Sequence, residues 1–222
     1  MSRKISFAPD EYYHVYNRGT DKRVIFLEPR DEERFIALLY LANTKDSVHI
    51  SNYQGLALME LLALERDDSL VHIGAYCLMP NHFHILIKER DPEGLSFFMH
   101  KLLTGYTMYF NKKYERTGTL FEGNFKARHV DEDIYLNYLL AYIHLNPVKI
   151  IDSNWKENGI KDIKKAEKFL SDYQSSSYHH YLGSGGDESV ILEPAEFPGY
   201  FQNPREFKDF VRDWLNYKSS EA

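Results

Sequence analysis

One cysteine, Cys77, in 222 residues leaves no partner for an intrachain disulfide, so nothing in the chain demands an oxidising compartment. No uninterrupted apolar run approaches the ~20 residues that span a bilayer. The opening residues Met1 to Phe7 carry charge and lack the apolar stretch of a signal peptide. These absences predict a soluble, cytoplasmic protein with no membrane partner. Excess positive charge is also missing: the formal net charge is −6, which argues against a uniformly basic nucleic-acid binder. What is present is a 43% hydrophobic content, enough for a sizeable core, and 31 phenylalanines and tyrosines, 14 and 17 respectively. Aromatic rings of that kind fill cores or stack on unpaired bases.

The charge is uneven. Between residues 101 and 128 stand Lys101, Lys112, Lys113, Arg116, Lys126 and Arg128, opposed only by Glu115 and Glu122. Acidic residues collect elsewhere, at Glu65, Asp67, Asp68 and Asp131 to Asp133. Such a distribution builds a phosphate-attracting face on an acidic protein, or merely a solvated helix and loop.

Residues 12 to 18 are rich in strand formers and end at Gly19. Asp31 to Asn43 has helical spacing of apolar residues behind an acidic first turn. Residues 44 to 69 read as an insertion around a short helical run, 56 to 64. Two strands follow, 71 to 78 and 82 to 88, separated by Met79, Pro80 and Asn81. A helix is expected over 95 to 113 and a strand or hairpin over 118 to 129. The next helix, 131 to 144, opens on acidic residues and must stop near Asn146, because Pro147 disfavours helical geometry before it. A Ser/Gly-rich stretch spans 175 to 186, and an amphipathic segment runs from Pro204 to Tyr217. This order predicts an α+β fold, a small antiparallel sheet with helices packed on one face.

His82 and His84 flank Phe83 inside an apolar strand. Alternation places both imidazoles on one face, with Cα atoms roughly 6 to 7 Å apart, and Phe83 in the opposite layer. Two readings are open: a pair that holds one divalent metal, or two polar residues on an exposed strand face. Tyr142 and Asn146 are four residues apart and share a helix face. They present either a nucleophile beside an amide ligand, or a core tyrosine beside a helix-stopping asparagine.

Taken together, these segments resemble a known family. Residues 79 to 86, Met-Pro-Asn-His-Phe-His-Ile-Leu, resemble the HUH motif block of single-tyrosine transposases of bacterial insertion sequences. Residues 142 to 149, Tyr-Ile-His-Leu-Asn-Pro-Val-Lys, are similar to their nucleophile helix, above all in the branch associated with repetitive extragenic palindromes (REP). Residues 13 to 19 and 118 to 126 match further blocks in the same order, so the resemblance spans residues 10 to 150. It implies a ferredoxin-like antiparallel core in which His82 and His84 face the helix bearing the nucleophile. That nucleophile is Tyr142, although Tyr135 and Tyr138 lie on nearly the same face. Asn146 is implied as third ligand to Mg²⁺ or Mn²⁺, in a slot where relatives also use glutamine. The implied reaction cuts single-stranded DNA near hairpins through a 5′-phosphotyrosine link, in either a monomer or a homodimer. Arg18, Lys112, Lys113, Arg116, Lys126 and Arg128 are the expected phosphate contacts. Residues 151 to 222 form a C-terminal, helical extension outside the resemblance. Two rivals are weighed against this reading. Histidine-triad nucleotide hydrolases carry a longer alternating series, which here ends at Leu86; a non-catalytic hairpin-binding regulator would not need His82, His84 and Tyr142 intact.

Overall fold

The computed structural model describes residues 6–46, 53 and 55–216. Four strands, β1 (Tyr12–Arg18), β2 (Val71–Met79), β3 (His82–Glu89) and β4 (Lys126–Val130), form a sheet in the order β2-β3-β1-β4. All three pairings are antiparallel. The strand expectations hold at 12 to 18, 71 to 79 and 82 to 89. Of residues 118 to 129, only the end becomes a strand; Leu120 and Phe121 instead turn back towards Thr20 and Gly19.

Helices α1 (Pro29–Leu41) and α3 (Gly94–Lys113) cover one face, with a short α2 (Leu58–Leu62) beside α1. Strand alternation explains the partition. Tyr13 and Val15 of β1, with Phe83, Ile85 and Ile87 of β3, point at Phe35, Leu39, Phe98, Leu102 and Tyr106 of α1 and α3. The opposite face is not left to solvent, as a fold with helices on one face alone would leave it. Helix α4 (Asp133–Leu145) lays Leu136, Leu139, Leu140 and Ile143 on Ala75, Cys77, Met79, Leu86 and Val130. The residues of β3 aimed at α4 are therefore His82, His84 and Leu86.

Beyond α4 come α5 (Val148–Ile151), α6 (Trp155–Asn158), α7 (Ile163–Asp172), α8 (Tyr178–Tyr181) and α9 (Pro204–Asn216). Phe207, Val211 and Leu215 recur on one stripe of α9 and pack with Trp155, Ala166 and Leu170 against Ala141 and Leu145 on the outer side of α4. Residues 175–177 pair with the free edge of β2: Leu78 donates its amide to Ser175, and Ser177 donates its amide to Tyr76. Covering that edge satisfies its backbone groups. The extension is thus joined to the sheet and to α4 through shared core. At Gly74, where the β2–β3 register shifts, the Phe197 ring lies where a Cβ would stand, 2.8 Å away. Among the described residues no helix is long and apolar enough to cross a membrane.

Candidate active site

The two-residue turn Pro80-Asn81 joins β2 to β3 and is held from outside. Ile25 donates its amide to the Pro80 carbonyl at 2.8 Å, and Gly19 donates to Asn81 at 2.9 Å. This fixes the point at which His82 leaves the turn. Its Nδ1 then donates to Asn81 Oδ1 at 2.7 Å, which leaves Nε2 as the free lone pair.

His84 is oriented by a residue the sequence reading did not single out. His14 of β1 places Nε2 2.8 Å from His84 Nδ1, with both residues buried. In the tautomer where His84 donates through Nδ1, its Nε2 also carries the available lone pair. His14 sits inside a matched sequence block, but its role depends on cross-strand register: it pairs with Leu86 and reaches diagonally to His84. No motif spacing within one strand reveals that.

All three imidazoles are held neutral. Burial pushes His82 down to about 4, with Lys149 and Arg18 adding repulsion. His14 falls to about 4 through burial and then Arg128. His84 lies well below its ordinary value through burial first, then through His14 and His82 beside it, with Lys149 and Lys156 adding repulsion. Neutral imidazoles are the form that binds metals.

Tyr142 closes the site from α4. Its ring centroid is 5.2 Å from that of His84 and 5.8 Å from that of His14, both edge-on. The histidine pair and the tyrosine are therefore brought together within one chain. Burial raises the phenol above its ordinary pKa, and the Asn146 amide beside it acts in the opposite direction, although no hydrogen bond of ordinary geometry joins the two. Asn146 is 1% exposed, with both amide atoms buried and unpartnered. An unsatisfied buried amide costs stability unless something supplies its partner. A cation held by His82, His84 and Asn146 would relieve part of that cost, so the donor set fits a divalent metal. Among the described residues no cluster of three His, Cys, Asp or Glu forms a complete metal cage. An ion held here would need further oxygen ligands, which suits Mg²⁺ or Mn²⁺ with phosphate or water in the remaining positions.

Tyr16, Asn17, Arg18, Asn81, His82, His84, Glu122, Lys126 and Tyr142 surround a cleft of about 330 Å³. Of the six expected phosphate contacts, Arg18 and Lys126 line it, Arg18 in an ion pair with Glu122 at 2.8 Å. Arg128 is nearby on the same face of β4, its guanidinium 4.2 Å over the Tyr135 ring. The other three stand on α3 and its exit, in the layer on the far side of the sheet. Lys112 is exposed there, and Arg116 lies over the Phe110 ring. Lys113 is engaged internally, paired with Glu28 and with the fully buried Asp31. Two cations the reading did not select, Lys149 and Lys156, lie 5.6 and 4.2 Å from the Tyr142 ring centroid.

A family model described as transposase IS200 like matches residues 50–146, a stretch that contains His82, His84, Tyr142 and Asn146. No curated protein matches the chain in sequence. Among solved structures, the REP-associated tyrosine transposase bound to a REP hairpin is similar in fold, with a TM-score of 0.51 and 14% identity, covering 85% of this chain and 89% of that one. The tRNA(His) guanylyltransferase from Saccharomyces cerevisiae aligns at 10% identity with a TM-score of 0.37, too low to imply a shared fold.

Proposed function

We propose, from the match of residues 50–146 to the IS200-like transposase model, that the chain cuts and rejoins single-stranded DNA beside a hairpin, with Tyr142 as nucleophile. The observation that carries this reading is the placement of the Tyr142 ring against His84 in a cleft bordered by Arg18 and Lys126.

The reaction follows from the groups present. Tyr142 Oη attacks phosphorus, and the bond from phosphorus to the preceding 3′ oxygen breaks. The phenolic proton passes to solvent and the departing 3′ oxygen takes one up, leaving a free 3′-hydroxyl and a 5′-phosphotyrosine. The covalent link retains the phosphodiester's free energy. A second 3′-hydroxyl can then attack the same phosphorus and expel Tyr142, restoring a phosphodiester without ATP. Arg18 and Lys126 hold the strand by its phosphates. His82, His84 and Asn146 would hold Mg²⁺ or Mn²⁺, which when bound polarises a non-bridging phosphate oxygen. His14 and Asn81 keep the two imidazoles turned so that their Nε2 lone pairs remain available.

The test is a denaturing gel with labelled single-stranded hairpins taken from DNA flanking the gene, in Mn²⁺ or Mg²⁺. Wild type should yield a protein-linked band that Tyr142→Phe abolishes while still binding the hairpin. A band that persists in Tyr142→Phe removes the assignment. Binding without any band in wild type points instead to a hairpin-binding regulator.

A further inference from the structure

Lys156 belongs to the extension, fourteen positions beyond Tyr142 in sequence, yet it stands over the nucleophile. The local fold explains how. Trp155 is buried in the core shared with Ala141 and Leu145 of α4, and this anchors the single turn of α6. The next residue is thereby carried round to the Tyr142 side, where its ammonium lies 4.2 Å from the ring centroid. Lys149, on α5, approaches the same ring to 5.6 Å.

Both lysines are half-buried, and among the described residues neither forms an ion pair. Glu157 is close enough to favour the charged form of Lys156 but does not pair with it. The field of Lys149 reaches His82 and that of both lysines reaches His84, while Tyr135, Tyr138 and Tyr16 surround the Tyr142 phenol between them. Two like charges held together beside neutral histidines and a neutral phenol lack an anion. Burial and Lys149 together depress Lys156 to about 8, so the protein tolerates strain on that charge when nothing is bound. A phosphate oxygen is the partner that relieves it.

We infer that Lys149 and Lys156 form an anion site against Tyr142 that receives the scissile phosphodiester, so that the extension supplies a residue to the active site. This rests on the transposase reading for the identity of the phosphodiester, but the two stand or fall on different measurements.

Wild-type protein is trace-labelled with acetic anhydride at pH 8, and acetylation is read lysine by lysine by mass spectrometry. Samples contain protein alone, inorganic phosphate, or a single-stranded oligonucleotide. The oligonucleotide should protect Lys149 and Lys156 and leave the exposed Lys164 and Lys165 of α7 unchanged. Protection by inorganic phosphate without protection by the oligonucleotide overturns the inference, as does no protection by either. In parallel, single-turnover adduct formation is compared in wild type, Lys156→Arg and Lys156→Met, each checked for its fold by circular dichroism. Loss of a charge-assisted contact to phosphate predicts a fall on the order of tenfold to a hundredfold for Lys156→Met, largely recovered in Lys156→Arg. Equal rates in wild type and Lys156→Met refute the lysine's role while leaving the transposase reading standing. Oligonucleotide protection in a wild type that forms no adduct does the reverse.

Discussion

His14 is hydrogen-bonded to His84 at 2.8 Å and does not line the cleft. Its effect is exerted through His84, by fixing the ring and leaving one nitrogen free. Losing such a support typically weakens metal binding about 10- to 100-fold. His14→Ala should therefore lower Mn²⁺ affinity by that factor in isothermal titration calorimetry, and His14→Gln, which keeps an acceptor, should recover part of it. An affinity unchanged in His14→Ala would show that His14 is only packing. His144 offers a second residue-level test. It is fully buried, bonded to the Leu140 carbonyl and to Ser177, and burial holds its pKa at about 3. A histidine with a depressed folded pKa favours the unfolded chain once that chain can take up the proton. Its contribution is thus intact above about pH 6.5 and is lost as pH falls towards 3, at up to about 1.4 kcal/mol per pH unit. Urea midpoints measured from pH 7 to 5 should fall less steeply in His144→Gln than in wild type. At this scale the sequence placed His82 with His84 on one strand face and Tyr142 with Asn146 on one helix face, because alternation and i,i+4 spacing are local rules. It concealed His14 and Lys156, because one depends on register between strands and the other on how Trp155 anchors a short helix.

Among elements, the α1–α3 pair shows why local charge in sequence misleads. Lys113 belongs to the basic stretch that suggests DNA contacts, yet it ties α3 to α1 through Asp31, which also accepts from Tyr109, Tyr114 and the Leu27 amide. Asp31 is fully buried and would lose all of these bonds, whereas Lys113 is partly exposed and also pairs with Glu28. Asp31→Ala should cost about 3 kcal/mol, read as a lower denaturant midpoint. Lys113→Met should also destabilise the fold while leaving hairpin affinity near wild type; a selective loss of affinity at full stability would restore Lys113 as a DNA contact. The first three strands were legible to within a residue because their apolar runs are bounded by Pro80, Gly19 and Asp91, whereas β4 takes up only the end of residues 118 to 129. The two-sided arrangement was less so. The apolar residues of α4 serve two cores, with Leu136, Leu139 and Leu140 turned to the sheet and Ala141 and Leu145 turned to the extension. A helix apolar on two sides does not announce which face of a sheet it covers.

For the whole molecule, the net charge of −6 coexists with a cleft lined by Arg18 and Lys126, and with Lys149 and Lys156 against the ring of Tyr142. Local field, rather than overall charge, decides where a phosphate settles. The extension also does structural work. It covers the outer side of α4 and the edge of β2, so a chain ending after Asp152 would expose Ala141, Leu145, Val148 and an unpaired strand edge. Such a truncation should lose the cooperative thermal transition in circular dichroism, whereas a sharp melt close to that of the full chain would show the extension to be dispensable.

The proposed chemistry depends on Tyr142, and Tyr135 and Tyr138 stand along the same helix as competitors. The most direct measurement is peptide mapping by mass spectrometry after wild type reacts with single-stranded hairpin DNA and Mn²⁺ and the DNA is trimmed by nuclease. A nucleotide joined through its 5′ phosphate to Tyr142 is the predicted result. The same mass on Tyr135 or Tyr138, or a link through a 3′ phosphate, would contradict it.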